Sequence, residues 1–167
     1  MVPQPISRRQ FFSGSRAAVH VRVCPPGTSI EKLIEACSGC GLCEERCPTG
    51  IIRLTDGLPF VDFTLGECTF CDECRQACPE PVFSSAHLEQ FPHVAVIGAE
   101  CLAKRNIACQ SCGEACPLQA IRFRPRIGGP FVPELDFDVC SGCGGCIGIC
   151  PVGAIAIEPR SMEETDA

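Results

Sequence analysis

The sequence contains no tryptophan and no tyrosine, so phenylalanine supplies every large aromatic side chain. Its 16 glycines and 15 prolines interrupt most segments and leave little apolar volume to fill a core across 167 residues. Small chains with thin cores usually need cross-links or bound metals for stability. We therefore expect metals or cross-links to stabilise this chain, which has a length suited to one domain or two small ones.

The common signatures of membrane proteins and enzymes are also missing. No apolar run is long enough to span a membrane. The sequence has neither a glycine-rich phosphate loop with its lysine nor a dinucleotide-binding fingerprint. Carboxylates are scattered and nothing marks a nucleophile, so we predict no catalytic residue. We therefore do not expect the chain to be an enzyme.

Acidic residues are absent from one end of the chain. Residues 1–30 contain four arginines and no acid, whereas the rest of the chain holds ten basic groups and all 20 acids. The last segment, residues 159–167, is predicted to be an acidic tail. Because the body of the protein is acidic, we do not expect it to bind nucleic acid.

Residues 1–30 are predicted to form a flexible basic arm. The paired arginines of "SRRQFF" resemble the start of a twin-arginine export signal. Such a signal continues into an apolar stretch, whereas "SGSR" follows here. We therefore expect an arm and not a cleaved leader, and a cytoplasmic protein. Disulfides are disfavoured in that compartment.

Cysteine, in contrast, is abundant, with 17 residues. Three segments match C-x2-C-x2-C-x3-C-P without deviation, and a fourth matches it except that eight positions separate its first two cysteines. In chain order, the four motifs contain Cys37, Cys40, Cys43, Cys47; Cys68, Cys71, Cys74, Cys78; Cys101, Cys109, Cys112, Cys116; and Cys140, Cys143, Cys146, Cys150. The remaining cysteine, Cys24, is predicted to be a free thiol in the arm.

This spacing favours iron–sulfur clusters over zinc or disulfides. Three cysteines at three-residue intervals can bind three irons of a [4Fe–4S] cluster, and the fourth cysteine of a partner motif can bind the last iron. Structural zinc sites usually have C-x2-C pairs separated by a dozen or more residues, and disulfides need an oxidising compartment. We therefore predict four [4Fe–4S] clusters held by all sixteen motif cysteines. The histidines are expected to be surface or packing residues.

The linkers between motifs predict an α+β fold of two tandem units. Residues 51–54 and 60–63 read as short strands around an Asp-Gly turn, and residues 121–124 and 131 onward repeat this plan. "HVAVIGAE" and "AIAIE" predict two further strands. Residues 31–83 would form a first unit with motifs one and two. Residues 84–93 would connect it to a second unit, residues 94–158. A nested pairing of motif one with four and two with three remains open.

The paired motifs resemble bacterial ferredoxins over residues 37–151. More specifically, the chain resembles the NapF family, ferredoxin-type accessory proteins of the periplasmic nitrate reductase system. The resemblance rests on "SRRQFF", on "CPEPVFSSAH" after the second motif, on the stretched third motif opening "AECLA", and on "IRFRP" after it.

This resemblance implies a cytosolic protein with four [4Fe–4S] clusters. It further implies a partner, the unexported catalytic subunit of the periplasmic nitrate reductase, whose maturation or cluster loading the protein would assist. The alternative is a general electron-carrier ferredoxin or an electron-transfer subunit of a cytosolic oxidoreductase.

Overall fold

The computed structural model describes residues 22–160, and this range contains short helices and strands joined by tight loops. The helices are α1 (Ile30–Ala36), α2 (Leu42–Glu45), α3 (Glu73–Ala77), α4 (Ser111–Glu114) and α5 (Gly145–Gly148). The strands are β1 (Ile52–Thr55), β2 (Leu58–Val61), β3 (His93–Ile97), β4 (Ile121–Arg126), β5 (Gly129–Leu135) and β6 (Ile155–Pro159). Nowhere between residues 22 and 160 does a helix have the length and apolarity to cross a membrane.

The first unit is built on the hairpin of β1 and β2. The two strands are antiparallel, with Ile52 opposite Val61. Asp56 and Gly57 connect them with φ angles of 54° and 79°. Two consecutive residues with positive φ form the hairpin turn that best matches the twist of antiparallel strands. The hairpin predicted from the sequence is therefore present, within one or two residues at each end.

The chain before α1 also packs on this unit. Val23 forms a bridge with Val61, whose amide donates to the Val23 carbonyl at 2.7 Å. Pro25 is fully buried, and the Gly27 carbonyl accepts from the amide of Ser84. The predicted flexible arm extended to residue 30, but residues 22–30 belong to the packed first unit. Residues 1–21, with most of the predicted arm, and the tail from residue 161 lie outside the described residues.

The second unit contains two antiparallel strand pairs. Strands β4 and β5 form a hairpin that repeats the plan of β1 and β2. Strand β3, which precedes the third motif, pairs with β6, which follows the fourth, so that Ile97 lies opposite Ile155. The two ends of the unit are thereby joined to each other. The sequence predicted all four strands, but it did not predict that β3 pairs with β6.

Each unit has a small core that includes cysteines. In the first unit, Cys43 and Cys74 are buried among aliphatic and phenylalanine side chains such as Ile51 and Phe63. In the second, three buried cysteines lie among Val94, Ile121 and other small apolar residues. The cores are as thin as the composition predicts, because thiols occupy positions that larger side chains fill in most domains.

The units meet at an aromatic junction. The Phe63 ring of the first unit meets Phe91 edge to face at 5.7 Å, and Phe91 stacks on His93 at 4.8 Å. Gly144 of the second unit also lies against Phe63, and a Cβ atom at this position would overlap the ring. Burial lowers the pKa of His93, and its Nε2 atom lies 2.9 Å from the carbonyl of Gly142. The neutral imidazole must therefore carry its proton on Nε2 to donate this hydrogen bond.

Candidate metal centres

Four short helices place one buried cysteine each. Helices α2, α3, α4 and α5 are only four or five residues long, and their buried thiols are those of Cys43, Cys74, Cys112 and Cys146. Helices of this length are not stable by themselves in water. Their position depends on the loops before them, which carry the first two cysteines of each motif.

The loop of the second motif has the required backbone shape without glycine. In motifs one and four, the two positions between the first three cysteines with positive φ are glycines, for example Gly142 at 73° and Gly144 at 80°. In motif two, Phe70 and Asp72 hold the same positions at 53° and 62°. Left-handed geometry costs a residue with a Cβ atom roughly 1–2 kcal/mol. The backbone shape is therefore common to these three motifs, and their sequences reach it differently.

Hydrogen bonds to Arg75 of α3 and to His87 of the connector hold the Asp72 side chain. Its Oδ2 atom accepts from Arg75 Nη2 at 2.7 Å and lies 2.6 Å from His87 Nδ1. These hydrogen bonds, with that from Arg75 first, lower the pKa of Asp72. The sequence indicated no role for Asp72, because its partner His87 lies fifteen positions away.

The sixteen motif cysteines line four cavities, four cysteines to each. The sets are Cys37, Cys40, Cys43, Cys78 (site one); Cys47, Cys68, Cys71, Cys74 (site two); Cys101, Cys109, Cys112, Cys150 (site three); and Cys116, Cys140, Cys143, Cys146 (site four). Each cavity thus receives three cysteines from one motif and the fourth from the adjacent motif. The nested pairing does not occur. The open space at the four sites is similar, about 340, 370, 350 and 430 Å³ in this order.

The insertion in the third motif does not remove Cys101 from its site. The Arg105 amide donates to the Cys101 carbonyl at 3.0 Å, and the Ile107 amide donates to Leu102 at 2.8 Å. Ala103 is fully buried at the centre of this compact loop. The chain therefore folds back on itself, and the eight-residue spacing still brings Cys101 to the same cavity as Cys109.

Burial disfavours the charged form of several thiols. It raises the pKa of Cys43, Cys68 and Cys112 to about 11 and that of Cys74 and Cys146 to about 12. A metal binds the thiolate, and so it must displace these protons and supply the missing positive charge. Sites lined by four thiols and apolar side chains are of the type that binds iron–sulfur clusters.

The geometry of the sites does not fit a single metal ion. Zinc requires its four ligands at about 2.3 Å from one centre when they are thiolates. In the described part of the chain, no three Cys, His, Asp or Glu side chains lie close enough to share one ion. The four thiols of each site instead surround an open space. This arrangement fits a group with several metal atoms, each bound by one cysteine.

Sites two and four lie next to each other across the junction. The Cys68 amide donates to the Cys143 carbonyl at 2.9 Å, which joins a loop of the first unit to one of the second. The Cys140 carbonyl accepts from Arg160 Nη2 at 2.5 Å. The Cys68–Cys143 hydrogen bond thus joins the loop of site two directly to the loop of site four.

Two thiols are exposed, and both belong to the first unit. Cys40 of site one and Cys71 of site two are exposed, whereas every motif cysteine of the second unit is buried or half-buried. Cys24 is half-buried outside the four cavities, and burial, followed by the charge of Glu31, raises its pKa. The surface therefore comes closest to the motif thiols at sites one and two.

Comparison with known proteins identifies the type of chain. Residues 36–83 and residues 107–154 each match a 4Fe-4S dicluster domain. The ferredoxin-type protein NapF of Escherichia coli K12 is 37% identical over 91% of this chain and 94% of its own length. The chain belongs to the NapF family. Its Haemophilus influenzae member is 35% identical over 98% of this chain and its own full length.

More distant relatives belong to another system. The methylamine utilization ferredoxin-type protein MauM of Methylobacillus flagellatus is 31% identical over 83% of this chain and 68% of its own length. Ferredoxin-type proteins of both names have iron–sulfur electron-transfer or accessory roles. The second dicluster match begins at residue 107 and so leaves out Cys101, which the folded chain nevertheless brings to site three.

Proposed function

We propose that this protein binds four [4Fe–4S] clusters through its sixteen motif cysteines and acts in the cytoplasm on the catalytic subunit of the periplasmic nitrate reductase before that subunit is exported. The observation that supports the cluster count is the presence of four similar cavities, each lined by four thiols. The partner and the compartment rest on membership of the NapF family. No residue is assigned a catalytic role.

Each cluster, when bound, would accept or release one electron at a time. The protein supplies the thiolate ligands, the apolar walls and the hydrogen bonds to sulfur. Ile51 and Ile52 line site two, and Ala120 and Ile121 occupy the same place at site four. Walls of this kind keep water from the sites and, with hydrogen bonds to the sulfurs, tune the reduction potential.

The first unit has the surface best suited to a redox partner. It contains the exposed Cys40 and Cys71, so a partner can approach sites one and two most closely. Residues 22–92 hold eleven acids and five basic groups, whereas residues 93–160 hold six of each. An acidic surface steers association with a basic one. We therefore infer that the partner contacts the first unit with a basic region.

A general electron carrier is the second candidate. The match to MauM favours it, because that relative is named for methylamine utilization and not for nitrate reduction. A general carrier would reduce several acceptors and would have no selective affinity for one unexported subunit.

Co-purification with the unexported catalytic subunit distinguishes the two candidates. The full chain, purified anaerobically with its iron and sulfide measured, would be mixed with that subunit or with an unrelated molybdenum enzyme. We expect a stable complex with the subunit only, weakened by salt. Equal recovery of both enzymes, or of neither, would contradict the accessory role while leaving the cluster assignment intact.

A further inference from the structure

The four cysteines that precede proline differ in the turn that follows them. After Cys47, Cys116 and Cys150 the chain makes the same tight turn, in which the amide three residues later donates to the cysteine carbonyl at 3.0, 3.1 and 3.2 Å. The donors are Gly50, Gln119 and Gly153, which follow their cysteines at the same interval and have φ angles of 63°, 53° and 59°. Three of the four turns are therefore alike in backbone geometry.

This turn directs a further amide at the ligand sulfur. The Ala120 amide donates to Cys116 Sγ at 3.3 Å, and the Ala154 amide donates to Cys150 Sγ at 3.2 Å. In both cases the donor lies four positions after the cysteine. At Cys47, the hydroxyl of Thr49, two positions after the cysteine, lies 3.5 Å from the sulfur. Sites two, three and four each include one of these cysteines.

The turn after Cys78 cannot form in the same way. The position three residues later is Pro81, which has no amide hydrogen and whose ring restricts φ to about −65°. The amide of Val82, four positions after Cys78, instead donates to the Glu80 carbonyl at 2.9 Å. That carbonyl oxygen also lies 3.6 Å from Cys78 Sγ. Cys78 thus lacks the hydrogen bond from the fourth position and faces a carbonyl dipole.

We propose that Pro81 makes site one the site of lowest reduction potential among the four. Reduction adds negative charge to a cluster and its ligand sulfurs, and amide hydrogen bonds to sulfur stabilise that charge. At its fourth ligand, Cys78, site one has neither the amide bond that Cys116 and Cys150 receive from the fourth position nor the hydroxyl contact of Cys47, and the polar group nearest its sulfur belongs to the backbone of Glu80. This inference rests on the proposed cluster binding and adds an order of potentials along the chain. Pro81 is a positioning residue, since it acts through the direction of the Val82 amide.

The order of potentials has a consequence for electron transfer. Site one includes the exposed Cys40 and lies in the unit that we expect to contact the partner. A site of low potential at the surface releases its electron to an acceptor more readily than the other sites do. The remaining three sites would hold electrons at higher potential and lie further from the partner or nearer to the junction.

Two substitutions at Pro81 test the inference. Pro81→Gly allows a positive φ, so the Val82 amide can turn toward Cys78 Sγ. Pro81→Val also removes the ring, but a β-branched residue disfavours positive φ. The holoprotein would be reduced stepwise with dithionite, and the four potentials would be followed by electron paramagnetic resonance. We expect Pro81→Gly to raise the lowest potential and to leave the other three unchanged, whereas Pro81→Val leaves all four unchanged.

Iron and sulfide analysis distinguishes a failure of the proposed cluster binding from a failure of the inference about Pro81. Fewer than four clusters in the unmodified protein would contradict the proposed function itself. With four clusters present, the inference fails if Pro81→Gly shifts a potential other than the lowest or shifts none. It also fails if Pro81→Val raises the lowest potential as much as Pro81→Gly, because the ring and not the turn would then be responsible.

Discussion

The two units have the same plan and differ in what surrounds it. Each consists of two cysteine motifs joined by a β-hairpin, with two cavities that exchange their fourth cysteine. The first unit is strongly acidic and has the exposed thiols, whereas the second has balanced charge and motif thiols that are buried or half-buried. The second unit also joins its two ends through β3 and β6. The shared plan serves cluster binding, and the differences concern contact with other molecules.

The irregular motif and the irregular turn lie in different units. The insertion after Cys101 is in the second unit, where the loop folds into a compact form and preserves the site. Pro81 is in the first unit, where it alters the hydrogen bonding of a ligand sulfur. A five-residue length difference is therefore tolerated, while a single proline changes the environment of a cluster. Loop length matters less than the direction of the amides near sulfur.

Removal of the metal should have the largest effect, and it should affect both units. The cores are thin and contain the motif cysteines, so cluster binding contributes a large part of the folding free energy. We expect chelation in the presence of an oxidant to abolish most ordered structure, as measured by circular dichroism. An apoprotein that unfolds sharply and cooperatively on heating would contradict this expectation. If one unit keeps its ordered structure after chelation and the other does not, the two units depend on metal binding to different degrees.

Loss of one ligand at the irregular motif tests whether both units fill their sites equally. Cys101→Ser should reduce the iron content from about sixteen to about twelve per chain, because site three loses one of four thiolates. Cys24→Ser is the matched control, since Cys24 lies outside the four cavities. Iron and acid-labile sulfide analysis measures both. Unchanged iron in Cys101→Ser would mean that the inserted loop has removed this cysteine from ligation.

A substitution at the junction tests whether the units depend on each other. Gly144→Ala and Gly128→Ala both place a Cβ atom at a left-handed residue, with φ of 80° and 75°. At Gly128 the new atom meets nothing, whereas at Gly144 it overlaps the Phe63 ring. We therefore expect about 1–3 kcal/mol more destabilisation from Gly144→Ala, the usual range for overpacking. Thermal unfolding of the two holoprotein variants measures the difference in stability. Equal stabilities would show that Phe63 and its neighbours shift to accommodate the added Cβ atom without loss of stability.

The smallest effect is expected at the two cations of the inserted loop. Lys104 and Arg105 lie between Cys101 and Cys109, two cysteines of site three, and positive charge close to a cluster favours its reduced form. In the structure, Lys104 Nζ donates to the Ile97 carbonyl at 2.5 Å, and the exposed Arg105 pairs with Glu100 at 3.0 Å. Exposed charges are screened and exposed ion pairs contribute little. Replacement of both by Glu should lower one potential slightly, as measured by stepwise reduction at low salt, and less at high salt. A large shift that persists at high salt would contradict this interpretation.

The sequence by itself determined the type of cofactor site and the local elements around it. Cysteines three positions apart must lie on one short loop whatever the rest of the chain does, so the spacing identifies three cysteines of sites one, two and four and two of site three. The Asp-Gly turn between residues 55 and 58 likewise acts through its own backbone preferences, and the hairpin followed from it. The spacing of cysteines and the backbone preferences of turn residues are local properties of the sequence. The strands on either side of a turn could be predicted for this reason.

Only the tertiary structure decided which fourth cysteine joins each set and which residues lie at the junction. Cys78 reaches site one, and Phe63 meets Gly144, through contacts between segments distant in sequence. The pairing of β3 with β6 and the packing of Val23 on Val61 are of the same kind. Local spacing leaves such contacts undetermined, because the free energy of each depends on how the whole chain buries its few apolar side chains.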